Sequence, residues 1–230
     1  MKNKFKASGK KKNHDVVRDI ADKLLMDEDT KNGAIILPKG PSRSLNEHGV
    51  YLLHGDIDEV TTGGAIRFIL EANLDPDCDL DFITLIINSN GGYVSDGFAL
   101  IDIMFGSHIP IRTVGIGTIA SMGLMVFLAG EQGTRTLTPN CTILSHQYSG
   151  GHFGKEHELV ASQKGFSDLT DIITRHYQRT TNLDDKAIRK YLLPPQDVWL
   201  TAKEAKKLGI CDIVKDMKPK TIDATKKGKK

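Results

Sequence analysis

From residue 49 onward, apolar and polar positions fall into a repeating strand–helix rhythm. Residues 50–53 are a short apolar run that ends at Gly55, as a short buried strand would. Asp58 is placed to cap a helix carrying Val60, Ala65, Ile66, Ile69 and Leu70. Residues 82–87 read as a second apolar strand, ended by Asn88-Ser89-Asn90-Gly91-Gly92. A helix follows with Phe98, Ile101 and Met104 or Phe105 on one face, then a third strand over 111–116. Residues 122–129 are apolar nearly all round, which predicts a buried helix. Three alternations of this kind predict a parallel sheet with crossover helices, and continuous apolar strands predict cover on both faces.

The second half reads differently. Residues 135–137 and 142–144 flank the turn pair Pro139-Asn140, which predicts a hairpin. A long helix is expected over 156–180, with Leu159, Phe166 and Ile173 at intervals of seven and Leu169 and His176 beside them. Ala187, Ile188, Tyr191 and Leu192 mark a shorter helix. Thr201-Ala202-Lys203-Glu204 is a capping box, Gly209 closes its helix, and residues 210–214 form a last strand. Ahead of the alternating region, Val16, Val17, Ile20, Leu24 and Leu25 suggest a helix within 13–27, and Lys39-Gly40-Pro41 breaks the chain.

Charge adds a boundary at each end. The first twelve residues hold six lysines, residues 215–230 carry +5, and the stretch between has a net charge of −9. Neither tail interleaves aromatic residues with its lysines as a nucleic-acid arm would, so both read as solvated, flexible ends. The expected organisation is a basic extension or propeptide over 1–41, one domain over 42–214 and a basic tail over 215–230. The run 1–12 has no apolar stretch behind it, so it does not read as a secretory signal, and no apolar run reaches the length of a membrane span. Cys78, Cys141 and Cys211 are odd in number and widely spaced, which argues against a disulfide framework or zinc site and fits a reducing compartment.

Three segments place small or polar residues where strands end, as sites of open parallel sheets do. Gly91-Gly92 lets backbone N–H groups approach a ligand, although paired glycines also make ordinary strand-to-helix turns. Ser121, in Gly117-Thr118-Ile119-Ala120-Ser121-Met122-Gly123, sits at the start of an apolar helix among small residues. Such a serine is either an N-cap or an accessible nucleophile whose alkoxide the helix terminus favours. Ile119 breaks the G-x-S-x-G pattern. His146 ends an apolar strand and is of the type that takes a serine proton, or else is satisfied at the sheet edge.

Together, Asn88-Ser89-Asn90-Gly91-Gly92, Ala120-Ser121-Met122-Gly123 and His146-Gln147 resemble the signature runs of the Clp protease proteolytic subunits, in that family's order and at its intervals. The resemblance spans about residues 42–214. It implies an α/β fold, a crotonase-like spiral of strand–helix units with a protruding handle helix at 156–180. It also implies a serine endopeptidase in which Ser121 is the nucleophile and His146 the general base. Gly92 and Met122 align with the backbone donors of the oxyanion hole, and Asp197 with the acid that orients the histidine. Asp168, Asp171, Asp184 and Asp185 stay open as alternatives for that acid. Asn90 and Tyr148 stand where the family usually has proline.

The resemblance further implies self-association into heptameric or doubled heptameric rings, unfolded protein or peptide substrates, and an AAA+ unfoldase partner. The chain has no G-x-x-x-x-G-K-[ST] of its own, so ATP use would belong to that partner. No cofactor, metal, nucleic acid or membrane is expected, and His152, Glu156, His157 and Glu158 do not make H-E-x-x-H. A cytoplasmic location is expected, in a host cytoplasm if virus-encoded, with an organellar stroma or matrix as the alternative. Rival readings are a non-catalytic ring subunit, a virus-type capsid-maturation peptidase, an acyl-CoA enzyme of the same fold and a serine–lysine peptidase. The acyl-CoA enzyme would need a glutamate beside Gly91-Gly92 or Ser121, and the serine–lysine peptidase a lysine in place of His146. Neither residue is there.

Overall fold

A computed structural model describes residues 44–215. The segments 13–27 and 39–41 and both basic tails up to 43 and from 216 lie outside the described residues. Seven strands form one sheet: β1 (Val50–His54), β2 (Ile83–Ser89), β3 (Ile111–Ala120), β4 (Thr136–Leu137), β5 (Thr142–Ser145), β6 (Val198–Thr201) and β7 (Ile213–Val214). Its order is β1-β2-β3-β4-β7, with β5 pairing to both β3 and β6. Every pairing is parallel except β5 with β6. The helices are α1 (Glu59–Leu74), α2 (Val94–Gly106), α3 (Met122–Leu128), α4 (Glu156–Thr180), the short α5 (Asp185–Ala187) and α6 (Ala202–Lys207).

Local chemistry starts the helices where expected. The Asp58 carboxylate accepts from the Thr61 N–H at 2.8 Å, and Thr61 Oγ1 accepts from the Asp58 N–H, closing a capping box. Hydrogen bonds donated to it by the Thr61 N–H and the Thr61 hydroxyl hold the Asp58 carboxyl below its usual range. Thr201 and Glu204 close the same box at α6, and Gly209 takes a φ of 71° just past its end.

The core lies on one face of the sheet. Ile83, Leu85 and Ile87 are fully buried in a cluster with Ala65, Phe68 and Ile69 of α1, Leu100 and Ile101 of α2, and all of α3 but Gly123. The other face carries Val50, Thr84 and Val114 buried, yet Leu52 on it is 46% exposed, and Ile86 and Ile116 are half-buried. The expectation of cover on both faces is thus corrected: within this chain the helices cover one.

The arrangement is the expected α/β spiral of strand–helix units with a protruding helix. Helix α4 buries only Ile173, His176, Tyr177 and Thr180, all near its C-terminal end. Leu159, Val160, Phe166 and Ile172 remain at the surface.

Other expectations need correction. Strands β4 and β5 do not pair as a hairpin. Both lie parallel to β3, at Val114-Gly115 and at Thr118-Ile119-Ala120. The turn between them, with the Thr138 N–H on the Gly115 carbonyl and the Cys141 N–H on the Thr138 carbonyl, shifts the chain along β3 without reversing it. Strand β3 also runs four residues beyond 116, past a register shift opposite Ile87 and Ser89. Residues 188–192 form a wide π turn continuing α5, only 213–214 of the last segment are strand, and β6 was not anticipated.

Candidate active site

Ser121 sits where β3 gives way to α3, with φ 52° and ψ −120°. It is the one non-glycine among the described residues with positive φ. Such backbone costs roughly 1–3 kcal/mol and persists where the surroundings over-determine it. The surroundings here are specific. The Ser121 N–H donates to the Leu144 carbonyl of β5 at 2.9 Å, and its carbonyl accepts from the Leu124 N–H at 3.0 Å. A Cβ on Gly91 would lie 2.7 Å from the Ser121 Cβ and 2.9 Å from the Ala120 carbonyl oxygen. Gly91 itself has φ 98°, and a Cβ on Gly92 would run into the Ile57 backbone. Ser121 makes no side-chain cap for α3, so the N-cap alternative is not realised.

The strand ends hold the turn from below. Ser89 Oγ accepts from the Gly91 N–H at 3.1 Å. Asn88 Oδ1 accepts from the Thr118 N–H at 3.1 Å, and its Nδ2 meets His54 Nδ1 at the same distance. Ile57 bonds both sides of Gly92, its N–H to the Gly91 carbonyl and its carbonyl to the Tyr93 N–H. Among the described residues, the N–H groups of Gly92 and Met122 have no protein acceptor. Met122 opens α3, and a Cβ on Gly91 would lie 3.1 Å from its nitrogen, so the two amide segments are in contact.

His146 follows β5 directly. The antiparallel register of β5 and β6 pairs Ser145 with Val198, so the next pair outward is His146 with Asp197. Their side chains meet at 3.4 Å, Nδ1 to Oδ1, and are 34% and 59% exposed. That is an electrostatic contact, long for a hydrogen bond. It leaves Nε2 as the ring's other nitrogen. Two anchors fix the segment after His146. The Gln147 N–H donates to the Pro194 carbonyl, and the Tyr148 hydroxyl donates to the Phe166 carbonyl of α4 at 2.8 Å.

Ser121 and His146 thus converge on Leu144, which bonds the first and lies two residues before the second. Among the described residues no hydrogen bond joins Ser121 Oγ to the imidazole. The alternative acids are engaged elsewhere or turned to solvent. Asp168 pairs with Lys164, Asp184 caps α5, Asp185 accepts from Gln178, and Asp171 is exposed on α4. Among the described residues no group of three His, Cys, Asp or Glu side chains could hold a metal ion. No helix among them is long and apolar enough to cross a membrane. His176, expected beside the apolar seam of α4, is indeed buried, but its hydrogen bond to the Met125 carbonyl of α3 has no signal in the helical spacing.

Residues 42–218 match the family model for Clp protease. An ATP-dependent Clp protease proteolytic subunit from Ostreococcus tauri is 34% identical over 138 residues, covering 60% of this chain and 68% of that protein. A match across most of the chain, on a fold with the expected elements, supports a proteolytic function. The chain belongs to the Clp protease family, whose members are peptidases.

Proposed function

We propose that this protein is a serine endopeptidase in which Ser121 is the nucleophile, His146 the general base and Asp197 the acid that orients it. The observation that carries the reading is the strained Ser121 turn, packed against Gly91 beside two amides without protein acceptors. Strain of that kind concentrates at functional residues. Ser121 Oγ attacks a peptide carbonyl as His146 Nε2 takes its proton. The Gly92 and Met122 N–H groups receive the oxyanion, and His146 then protonates the leaving amine. Water, deprotonated by His146, releases the acyl group from Ser121. Asp197 favours the tautomer with the proton on Nδ1 and stabilises the imidazolium as it forms. The chemistry needs no metal or cofactor.

The domain boundaries of the reading are 42 and 214, with basic extensions on either side, and the setting is cytoplasmic. We read the enzyme as one subunit of a heptameric or doubled heptameric ring, whose chamber receives unfolded chains from an AAA+ unfoldase. The exposed apolar side chains of α4, Leu159, Val160 and Phe166, support self-association.

Hydrolysis of a fluorogenic peptide and of an unfolded protein, compared between wild type and Ser121→Ala, tests the activity. Loss of about six orders of magnitude in kcat is expected in the variant. Equal rates in the two proteins would refute the assignment. Sedimentation of the purified protein tests the ring. A monomer at every concentration and salt would refute it.

A further inference from the structure

We propose that His176 is a positioning residue for Ser121, holding α3 in place through a hydrogen bond from its ring to the Met125 carbonyl. The proposal rests on the reading of Ser121 as the nucleophile.

His176 lies in the anchored end of α4 and is only 4% exposed. Its Nε2 is 2.9 Å from the Met125 carbonyl oxygen. A carbonyl can only accept, so Nε2 carries the proton and the ring is the donor. Phe98 meets the ring edge-on at 5.7 Å, and Phe105 and Tyr177 close around it. Burial pushes its pKa down to about 4, against the bond to Met125 and with the nearby Arg179 charge. At neutral pH the imidazole is therefore an uncharged donor fixed in one orientation.

Its acceptor belongs to the helix that presents Ser121. The Met125 N–H donates to the Ser121 carbonyl at 3.3 Å, so the gripped carbonyl is one turn from the nucleophile. Helix α3 has seven residues, all buried. So short a helix leaves most of its backbone groups without intrahelical partners. Among the described residues, two side-chain hydrogen bonds reach it: His176 to the Met125 carbonyl, and Thr113 Oγ1 to the Phe127 carbonyl at 2.8 Å. Apart from Ser89 against Gly123, the side chains packed on it are mainly apolar. Apolar packing is non-directional, so it resists separation better than rotation or sliding. Directional bonds select one arrangement, and a shift of about 1 Å at a reacting group can cost on the order of 100-fold in rate.

The test is the rate at which a fluorophosphonate labels Ser121, followed by intact mass, in wild type, His176→Leu and His176→Gln, with melting temperatures for each. The Leu variant keeps apolar volume and loses the donor, and its labelling should slow about tenfold. The Gln variant keeps an N–H donor and should recover to within about threefold of wild type. A folded Leu variant labelled at the wild-type rate would overturn the proposal, as would Leu and Gln variants that are equally slow. If the Leu variant does not fold, the Gln variant decides: labelling near the wild-type rate supports the role and a tenfold loss overturns it. An unlabelled wild type would instead sink the Ser121 reading, and the proposal with it.

Discussion

The two halves of the candidate site are held by different forces. The Ser121 half is packed: Ala120, Met122 and Gly91 are buried, and each close approach is made by a residue too small to be enlarged. The His146 half is open, with Asp197 59% exposed and joined to the imidazole by one contact at 3.4 Å. Packing fixes the first half and strand register fixes the second. The nucleophile's geometry should therefore be costly to disturb and tied to stability. The acid–base pair should be cheap to alter in folding terms and expensive in catalysis.

Gly91→Ala should have the largest effect, because it strikes the packed half. The new Cβ meets Ser121 and Ala120 at a residue with positive φ. Overpacking and left-handed strain together should cost about 3 kcal/mol in urea unfolding, and peptidase activity should fall at least about 100-fold. A variant with wild-type stability and activity would break the comparison.

Asp197→Asn makes the reverse prediction. Exposed ion pairs contribute about 0–1 kcal/mol, so the melting temperature should barely move. Losing the orienting carboxylate should lower kcat about 100-fold or more, a barrier change of about 2.7 kcal/mol. A large fall in stability with intact kcat would show the halves to be assigned the wrong way round.

Acid should weaken the packed half next. Burial lowers the His176 pKa from 6.5 to about 4. Between those values the unfolded chain binds a proton that the folded chain does not, so this contribution is complete above pH 6.5 and is lost as pH falls toward 4. Unfolding free energy should drop by about 2 kcal/mol from pH 7 to pH 5 through this group, and His176→Gln should remove that part of the slope. An identical slope in the variant would exclude His176 as its source.

Tyr148→Phe should do least. It removes hydroxyl bonds to the Phe166 carbonyl and Thr170 on an exposed segment. A cost of about 1 kcal/mol or less is expected, read as a small shift in urea midpoint. A cost comparable with that of Gly91→Ala would mean that the open half is also held by packing.

The same contrast explains what was legible in the sequence. The packed half leaves a local trace: residues 82–87 of the β2 region are a mainly apolar run, and the Gly91-Gly92 and Ala120-Ser121-Met122-Gly123 runs mark close approach. The open half depends on which strands pair. Asp197 reaches His146 only through the β5–β6 register, so in the sequence it was one of five candidate acids, singled out by resemblance alone. Pro139-Asn140 misled for a related reason. The local signal was a reversal, yet the edge of β3 takes both flanking strands in parallel. Likewise, Leu159 and Phe166 share the heptad spacing of Ile173 but stay exposed while Ile173 is buried, because α4 packs on the domain only near its C-terminal end. Periodicity shows which face is apolar and not what, if anything, covers it.

The most direct test of the central claim is intact-mass spectrometry after treatment with a serine-directed fluorophosphonate, on wild type, Ser121→Ala and His146→Ala. One adduct mapped to Ser121, absent from the Ser121→Ala protein and strongly slowed in His146→Ala, is the predicted result. An adduct on another serine, or none on a folded and assembled wild type, would contradict it.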